Sequence, residues 1–213
     1  MIENASGIIL RTRPLTETSL IVHWLTAAQG RISTVAKGAR RAQSPFSGKL
    51  DLFYFADFSF ARSRRSELHT LREVGIRETR QAIRRDVKLL QQASYATVLI
   101  EQTSEVDTPL PGLLELFSEF LDELSTQKTA STLIFSFELK LLEELGMAPD
   151  LPASNLSSGA KEIASKLLER NFAFASRIKL SGPQTNELRE FLHGFLIFHL
   201  GKIPSSRTAA LAE

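Results

Sequence analysis

Hydrophobic and polar residues alternate in short runs over the first 80 positions, which is the pattern of half-buried β-strands. Between residues 19 and 26, for example, Leu20, Val22 and Trp24 fall on one face. The same alternation predicts five strands, over residues 7–13, 19–26, 31–36, 52–61 and 67–76. The segment between the third and fourth strands, residues 37–49, is rich in Gly, Ser and Pro and is predicted to be a loop.

Five short strands in a segment of this length predict a small all-β barrel or sandwich, and they match the size of an oligonucleotide-binding OB-fold. After residue 80 the hydrophobic spacing becomes helical, with stripes over residues 89–100, 110–124, 134–145, 158–170 and 183–198. Gly146 and Gly201 are expected to end two of these helices, and Pro183 to begin the last one. The predicted class is therefore α+β, with an OB-fold barrel over residues 1–80 and a helical domain over residues 81–213.

The composition excludes several classes of protein. Of the 213 residues, 43% are hydrophobic and 23% are charged, which is an ordinary globular balance. The chain has no cysteine, so disulfides, thiolate metal sites and a cysteine nucleophile are excluded. No apolar run reaches the roughly 18 residues of a membrane span, and the N-terminus lacks the positive lead of a secretory signal. We therefore expect a cytoplasmic protein without a membrane partner.

Charge is distributed unevenly along the chain. The net charge is only +2, but residues 1–80 contain 13 basic and 7 acidic residues. Between Glu17 and Asp51 there is no carboxylate at all. A basic half beside an acidic half suggests two units with different partners, and the basic half is the candidate for binding a polyanion.

The basic segment is the best functional signal. Phosphate binding requires cationic side chains and a close approach of the backbone, which glycine permits. The run Lys37-Gly38-Ala39-Arg40-Arg41 supplies both at the end of a predicted strand. For Arg62, Arg64 and Arg65, binding and simple solvation are equally good interpretations. The candidate DNA-binding residues are Arg11, Arg13, Arg31, Lys37, Gly38, Arg40, Arg41, Lys49, Arg62, Arg64 and Arg65.

Aromatic side chains could stack on bases, but their positions favour a barrel core. Trp24 shares its face with Leu20 and Val22, and is therefore predicted to be buried. The same interpretation applies to four phenylalanines of the fourth predicted strand: Phe53, Phe55, Phe58 and Phe60. Phe46, in the basic loop, is the aromatic residue least committed to a core.

The sequence contains no recognisable active site. His193 and His199 are six residues apart, so they do not share a helix face, and no carboxylate motif flanks either of them. The patterns GxxxxGK[ST], GxGxxG and GxSxG do not occur. We predict a protein that is not an enzyme and that has no cofactor and no metal.

A series of short motifs, in order along nearly the whole chain, resembles the RecO family of bacterial DNA repair and recombination-mediator proteins. The most specific of them is the run from Val35 to Arg41. The others lie at residues 7–20, 25–26, 30–33, 44, 48–50, 53, 137–146, 149–151, 198–202 and 206–207.

The resemblance implies binding of single- and double-stranded DNA, annealing of complementary strands and cooperation with RecR. It also implies loading of RecA on DNA coated by the single-stranded-DNA-binding protein, whose acidic C-terminal tail the family recognises. The basic positions of the helical half that match the family, Lys140, Lys202 and Arg207, are the candidates for binding that tail. Such a protein would be cytoplasmic and associated with the bacterial nucleoid. Many members carry a four-cysteine zinc module where this chain has residues 152–159 without cysteine.

Two alternatives remain at the level of sequence. The first is an RNA-binding OB-fold protein with a helical partner domain, which would prefer RNA to DNA of the same sequence. The second is a protein-interaction scaffold whose basic patch is incidental. An unrecognised enzyme is a more distant third interpretation.

Overall fold

The N-terminal strands close into a barrel. The protein is described by a computed structural model that covers residues 1–126 and 130–212. The strands are β1 (Ile2–Pro14), β2 (Leu20–Thr26), β3 (Gly30–Ala36), β4 (Phe55–Ala61) and β5 (Leu68–Glu78). Their order around the barrel is β1-β2-β3-β5-β4, and β1 pairs with β4 to close it. Only β3 and β5 pair in parallel among these neighbours. The predicted five-stranded barrel is confirmed, and its arrangement agrees with an OB-fold.

The barrel core is built from the alternating positions of the strands. Trp24 is completely buried and stacks on Phe58, with ring centroids 4.0 Å apart. Its indole Nε1 donates a hydrogen bond to Thr34 Oγ1 at 2.9 Å, so the one polar atom of the ring is satisfied. Phe53 and Phe60 are also buried, whereas Phe55 is only half-buried. The prediction that Trp24 belongs to the core is confirmed.

Phe46 corrects a sequence-based expectation. Its side chain is only 7% exposed and belongs to the same core cluster as Trp24 and Phe58. The interpretation of Phe46 as the aromatic residue least committed to a core is therefore wrong. The loop that carries it folds back onto the barrel, and burying the ring removes apolar area from water. Strand periodicity gives no information about a loop residue that packs in this way.

The described remainder of the chain is helical. Its helices are α1 (Gln81–Arg85), α2 (Val87–Thr103), α3 (Pro111–Thr126), α4 (Ser131–Glu144), α5 (Ser158–Glu169), α6 (Phe172–Ala175), α7 (Gly182–Leu200) and α8 (Arg207–Ala210). Gly146 and Gly201 adopt the predicted left-handed conformation at the ends of α4 and α7, with φ of 71° and 72°. Ser181 and Gln184 form a reciprocal capping box that begins α7. The hydrophobic pattern did not predict the short helices α1, α6 and α8, because helices of this length are too short to show a helical period. Among the described residues, no helix is long and apolar enough to span a membrane.

Two compact units make up the chain. The barrel unit contains residues 1–80 together with residues 104–115, and the helical unit contains residues 81–103 and the chain from Leu116 onward. Within the barrel unit, the returning segment pairs with β3, where Asp107 N donates to Arg31 O at 2.9 Å. The sequence-based prediction divides the chain after residue 80, and it does not include residues 104–115 in the barrel unit.

The return of residues 104–115 explains why Gly30 stands at the start of β3. Gly30 has a φ of 67°, and a Cβ atom there would lie 2.1 Å from the carbonyl oxygen of Thr108. Gly48 has a similar φ of 70°, but a Cβ atom at Gly48 would meet nothing within 4 Å, since its surroundings are open. Replacing each glycine with alanine therefore distinguishes the cost of steric crowding, present only at Gly30, from the cost of left-handed backbone strain, present at both.

We expect Gly30→Ala to lower the free energy of unfolding of the barrel unit by more than about 2 kcal/mol, because crowding adds to left-handed strain. Gly48→Ala should cost only about 1 kcal/mol, from strain alone. Urea unfolding followed by the fluorescence of Trp24, the only tryptophan of the chain, measures both. Equal losses for the two variants would contradict a close approach of residue 108 to Gly30.

The loop between α4 and α5 is held by hydrogen bonds and two buried leucines. Leu151 and Leu156 are 4% and 6% exposed. Lys161 Nζ donates to Pro152 O at 2.7 Å, and Ser157 Oγ donates to Glu187 Oε2 at 2.8 Å. Side-chain packing and a carboxylate of α7 thus fix this loop to the helical unit.

Candidate nucleic-acid interface

The basic loop after β3 is a succession of tight turns. Ala39 N donates to Ala36 O, Arg41 N to Gly38 O, and Ser44 N to Arg41 O, at 3.1–3.3 Å. Gly38 takes a φ of 70°, a left-handed conformation that glycine adopts at low cost. Since each turn closes within three residues, the loop has a defined backbone course and presents its side chains at fixed positions.

The turn between β1 and β2 holds the basic loop in place. Arg40 N donates to Thr18 O at 2.9 Å, and Arg40 Nη1 donates to Thr16 O at 3.1 Å. Ser19 Oγ accepts a longer bond, 3.4 Å, from Gly38 N. Sequence analysis did not find these three supporting residues. The signal was present, because a Thr-x-Thr-Ser cluster after Pro14 is typical of a side-chain-capped turn.

Exposed positive charge gathers on this loop. Lys37, Arg40 and Arg41 are all exposed. The acid-free stretch of sequence is not wholly acid-free in space, because Glu17 belongs to the turn that Arg40 contacts. Within the described part of the chain, neither Lys37 nor Arg41 forms an ion pair with a carboxylate. The loop therefore offers cations that are available to an external anion.

Two further candidates lie on the adjoining part of β1. Arg13 pairs with Ile21 of β2, and Ile21 pairs with Val35 of β3. Arg13 therefore lies level with Val35, two residues before Lys37 of the basic loop. Arg13 is exposed, while Arg11 is half-buried two positions earlier, opposite His23. A register shift at Leu10 separates both arginines from the regular first half of β1. The register brings Arg13 and the basic loop to one end of the barrel, which we call the loop end.

Arg31 and Arg62 have different neighbours. Arg31 donates from Nε and Nη2 to Ser104 O at 3.1 and 2.6 Å. Arg62 donates to Glu3 at 2.8 Å and to Asp107 at 3.2 Å. The hydrogen bond from Arg62 lowers the pKa of the Glu3 carboxyl, and the Glu3 carboxylate raises the pKa of Arg62. Both arginines therefore fasten parts of the barrel unit together, whatever else they contact.

The remaining candidates are three residues in turns. Arg64 and Arg65 are exposed in the β4–β5 turn that begins next to Arg62. Lys49 is half-buried at the end of the basic loop, where its N–H donates to Phe46 O at 3.0 Å. The structure thus divides the eleven predicted DNA-binding residues between the loop end and the β4–β5 turn, apart from Arg31, which lies at the start of β3 and contacts Ser104. Contact with DNA stays a prediction for all of them.

The three candidates for tail binding differ in their surroundings. Lys140 Nζ donates to Leu168 O at 2.6 Å and lies over the ring of Phe172. Arg207 is 5% exposed, and its Nε and Nη2 donate to both oxygens of Glu138 at 2.7 and 2.8 Å. Lys202 is exposed just after α7. Two of the three are therefore committed to contacts inside the helical unit.

A groove of about 630 Å³ runs between α7 and the segment that follows it. Its lining combines apolar side chains with charged ones of both signs, among them Arg189, Glu190, Ile203, Pro204, Arg207 and Leu211. The Nε of Arg189 is buried, and no hydrogen-bond partner for it occurs among residues 1–126 and 130–212. A guanidinium beside apolar walls is suited to a carboxylate that carries apolar neighbours.

The fold and the loop end define the class of this protein, an OB-fold protein with a basic barrel end and a helical unit. Comparison with known proteins gives the family. The chain matches the family model "Recombination protein O N terminal" over residues 1–80 and the model "Recombination protein O C terminal" over residues 84–158. The chain belongs to the RecO family.

Relatives named DNA repair protein RecO align with much of the chain. The protein from Bacillus pumilus is 34% identical over 151 residues, which are 71% of this chain and 58% of that one. The Bacillus velezensis protein is 29% identical over 95% of this chain and 82% of its own length. The Anaeromyxobacter protein is 26% identical over 95% of this chain and 93% of its own. Against the first of these, the match spans less than two thirds of the relative's length.

Proposed function

We propose that this protein binds single- and double-stranded DNA through the loop end of its barrel and acts as a recombination mediator in DNA repair. In this role it anneals complementary strands and, with RecR, helps to load RecA on DNA coated by the single-stranded-DNA-binding protein. Its place would be the cytoplasm of a bacterium, at the nucleoid. The proposed role includes no covalent step and assigns the protein no catalytic activity.

The observation that carries the proposal is the fixed basic loop of an OB-type barrel in a RecO family member. Three exposed cations, Lys37, Arg40 and Arg41, belong to a loop that hydrogen bonds connect to the β1–β2 turn. A loop that is already ordered loses little conformational entropy when it binds a phosphate chain. The side chains of Lys37 and Arg41 can therefore contribute to affinity, while the guanidinium of Arg40 also helps to hold the loop.

Annealing follows from neutralisation of charge. Each phosphate contact by a cation releases condensed counterions, which makes binding favourable at low salt and weaker as salt rises. Two strands whose phosphates are partly neutralised repel each other less, so they pair faster without any bond being made or broken. Arg is suited to this task because its planar guanidinium contacts phosphate oxygens in pairs.

The groove of the helical unit supports the second part of the proposal. An acidic peptide with an apolar end requires an apolar trough with cations along it. The groove beside α7 supplies Arg189 together with Ile203, Pro204 and Leu211; Arg207, which also lines it, is engaged by Glu138, and Glu190 lies at the groove as well. We therefore place the C-terminal tail of the single-stranded-DNA-binding protein in this groove, with Lys202 near its end.

Binding and annealing of fluorescent oligonucleotides test the proposal. We expect anisotropy to show tight binding of a single-stranded DNA whose affinity falls steeply between about 50 and 200 mM salt. Annealing of complementary strands should be faster with the protein than without it. When the strands are coated by single-stranded-DNA-binding protein, the acceleration should depend on that protein's C-terminal tail.

The alternatives give different results in the same assays. Tighter binding to RNA than to DNA of the same sequence would favour an RNA-binding OB-fold protein. A folded protein that binds neither nucleic acid would overturn the proposal and leave the scaffold. Equal acceleration with tailed and tailless single-stranded-DNA-binding protein would refute the tail site alone.

A further inference from the structure

The last turns of α7 carry exposed aromatic side chains that the proposed function does not use. Phe198 is 82% exposed, Ile197 is 43% exposed, and Phe191 and Phe195 are half-buried. A single apolar residue on a surface is ordinary, but a contiguous exposed group of large ones marks an interaction site. We call Phe191, Phe195, Phe198 and His199 the aromatic stripe.

The rings of the aromatic stripe contact one another in succession. The centroids of Phe191 and Phe195 are 6.0 Å apart, and those of Phe195 and His199 are 4.4 Å apart. Phe198 meets His199 edge-on at 5.0 Å. Residues 191, 195 and 199 follow each other at intervals of one helical turn, so the stripe extends about 12 Å along α7. It is a short row of flat surfaces at regular intervals.

An exposed lysine follows the aromatic stripe, and carboxylates precede it. From Phe191 to Ala212 there is no Asp or Glu, while Glu187 and Glu190 come just before Phe191 on α7. Arg207 is neutralised by Glu138. Lys202 is exposed two residues after the end of α7, where its charge complements the partial negative charge of the helix C-terminus. A ligand with flat apolar faces and negative charge complements this surface.

We propose that the aromatic stripe, with Lys202, is a second binding surface for single-stranded DNA, on which unpaired bases stack. Every base offers a π-face, so aromatic rings with nearby cations bind single strands without regard to sequence. The stripe is made of rings rather than branched aliphatic side chains, which favours a base over an apolar protein partner. The inference rests on the proposed function, since annealing gains from holding a second strand on the same protein.

Photochemical crosslinking locates the bases directly. A single-stranded oligonucleotide that contains 5-iododeoxyuridine is bound to the full chain, irradiated, and the protein is digested with trypsin. Cleavage after Arg189 and Lys202 releases residues 190–202 as one peptide, which contains the whole aromatic stripe. We expect this peptide to carry the oligonucleotide, in addition to peptides from the barrel unit.

Substitution of the rings tests what the surface contributes. Phe195→Leu/Phe198→Leu removes two rings but keeps apolar side chains, so we expect it to fold normally. Annealing should slow by about fivefold or more, the effect of losing one stacked base. Phe174→Leu is the matched control, because Phe174 is 38% exposed on α6 and lies outside the stripe. Its annealing rate should equal that of the wild type.

Three other outcomes are distinguishable. Crosslinks confined to the barrel unit, with unchanged annealing by the double variant, would overturn the inference and leave the proposed function intact. Loss of affinity for the acidic tail peptide alone would make the aromatic stripe a protein-docking face, which also overturns it. A wild type that binds no single-stranded DNA would overturn the proposed function, and this inference with it.

Discussion

Reversing three charges on the basic loop should weaken the binding of single-stranded DNA on the order of 100-fold at low salt. The change is Lys37→Glu/Arg40→Glu/Arg41→Glu, and the reason is that three phosphate contacts become three repulsions. The slope of the logarithm of the binding constant against the logarithm of salt concentration should become shallower by about 2, near 0.7 for each lost contact. Fluorescence anisotropy across a salt series measures both quantities.

A control variant with the same net charge distinguishes a DNA-binding site on the basic loop from a general effect of the protein's net charge. Lys88→Glu/Arg177→Glu/Lys179→Glu changes three residues of the helical unit by the same total charge. We expect it to change affinity much less, since long-range fields are screened within about 10 Å at 0.1 M salt. Equal losses in the two triple variants would show that net charge, and not the loop, governs binding.

Arg40 needs a further control because it supports the loop. Its N–H and Nη1 donate to the β1–β2 turn, so Arg40→Glu could disturb the loop itself. Lys37→Glu/Arg41→Glu leaves this residue in place and should still produce about two thirds of the change in the salt slope, because two of the three contacts are lost. Wild-type affinity in this double variant would place the phosphate path elsewhere, with Arg62, Arg64 and Arg65 as the next candidates.

Breaking the buried ion pair of the helical unit should have the largest effect on stability. Arg207 and Glu138 form a two-point contact, and Glu138 is completely inaccessible to solvent. Removing one partner leaves the other charge buried and unpaired, which costs about 3–5 kcal/mol. We therefore expect Arg207→Ala to lower the free energy of unfolding of the helical unit by this amount. Urea denaturation followed by circular dichroism measures it.

The surrounding contacts explain why the pair is so sensitive. Tyr95 donates its hydroxyl to Glu138 Oε1 at 2.5 Å, and burial together with the Glu138 carboxylate raises the pKa of this tyrosine. Tyr95 thus stays a neutral donor. Arg207 also donates from Nη1 to Arg189 O, so the pair connects α4, α7 and α8.

An exposed ion pair provides the comparison. Lys166 contacts Glu162 one turn earlier on α5, at 2.6 Å and with both side chains largely in solvent. Lys166→Ala should cost less than about 1 kcal/mol, as exposed pairs do. A loss for Arg207→Ala as small as that for Lys166→Ala would contradict the structural role given to Arg207.

The barrel was predictable because alternation reports directly which side of a strand is buried. Val22 and Trp24 follow this rule, and both are completely buried. The ends of α4 and α7 were predictable for a similar reason, since Gly146 and Gly201 occupy left-handed positions that other residues adopt at a cost. Each of these features is decided within a few residues of chain.

Long-range partners were not predictable. Arg31 and Arg62 have the same residue type and the same basic surroundings in sequence as Arg40. Their partners Ser104 and Asp107 are 73 and 45 residues away along the chain. In the sequence, Arg207 looks like an unpaired cation of a C-terminal motif. In the structure it is paired with Glu138, which lies 69 residues earlier in the chain. Phe46 likewise belongs to the core because its loop folds onto the barrel, and hydrophobic periodicity does not predict how a loop folds.

The sequence by itself determined the five strands, the helical second half, the basic loop and, through its motifs, the family. These depend on local periodicity, backbone preference and composition, which a linear chain displays. Only the tertiary structure decided which cations remain exposed and which are consumed by internal contacts. That division depends on groups brought together from distant positions, because a charge is neutralised by whatever lies within a few ångströms of it and not by its neighbours in sequence.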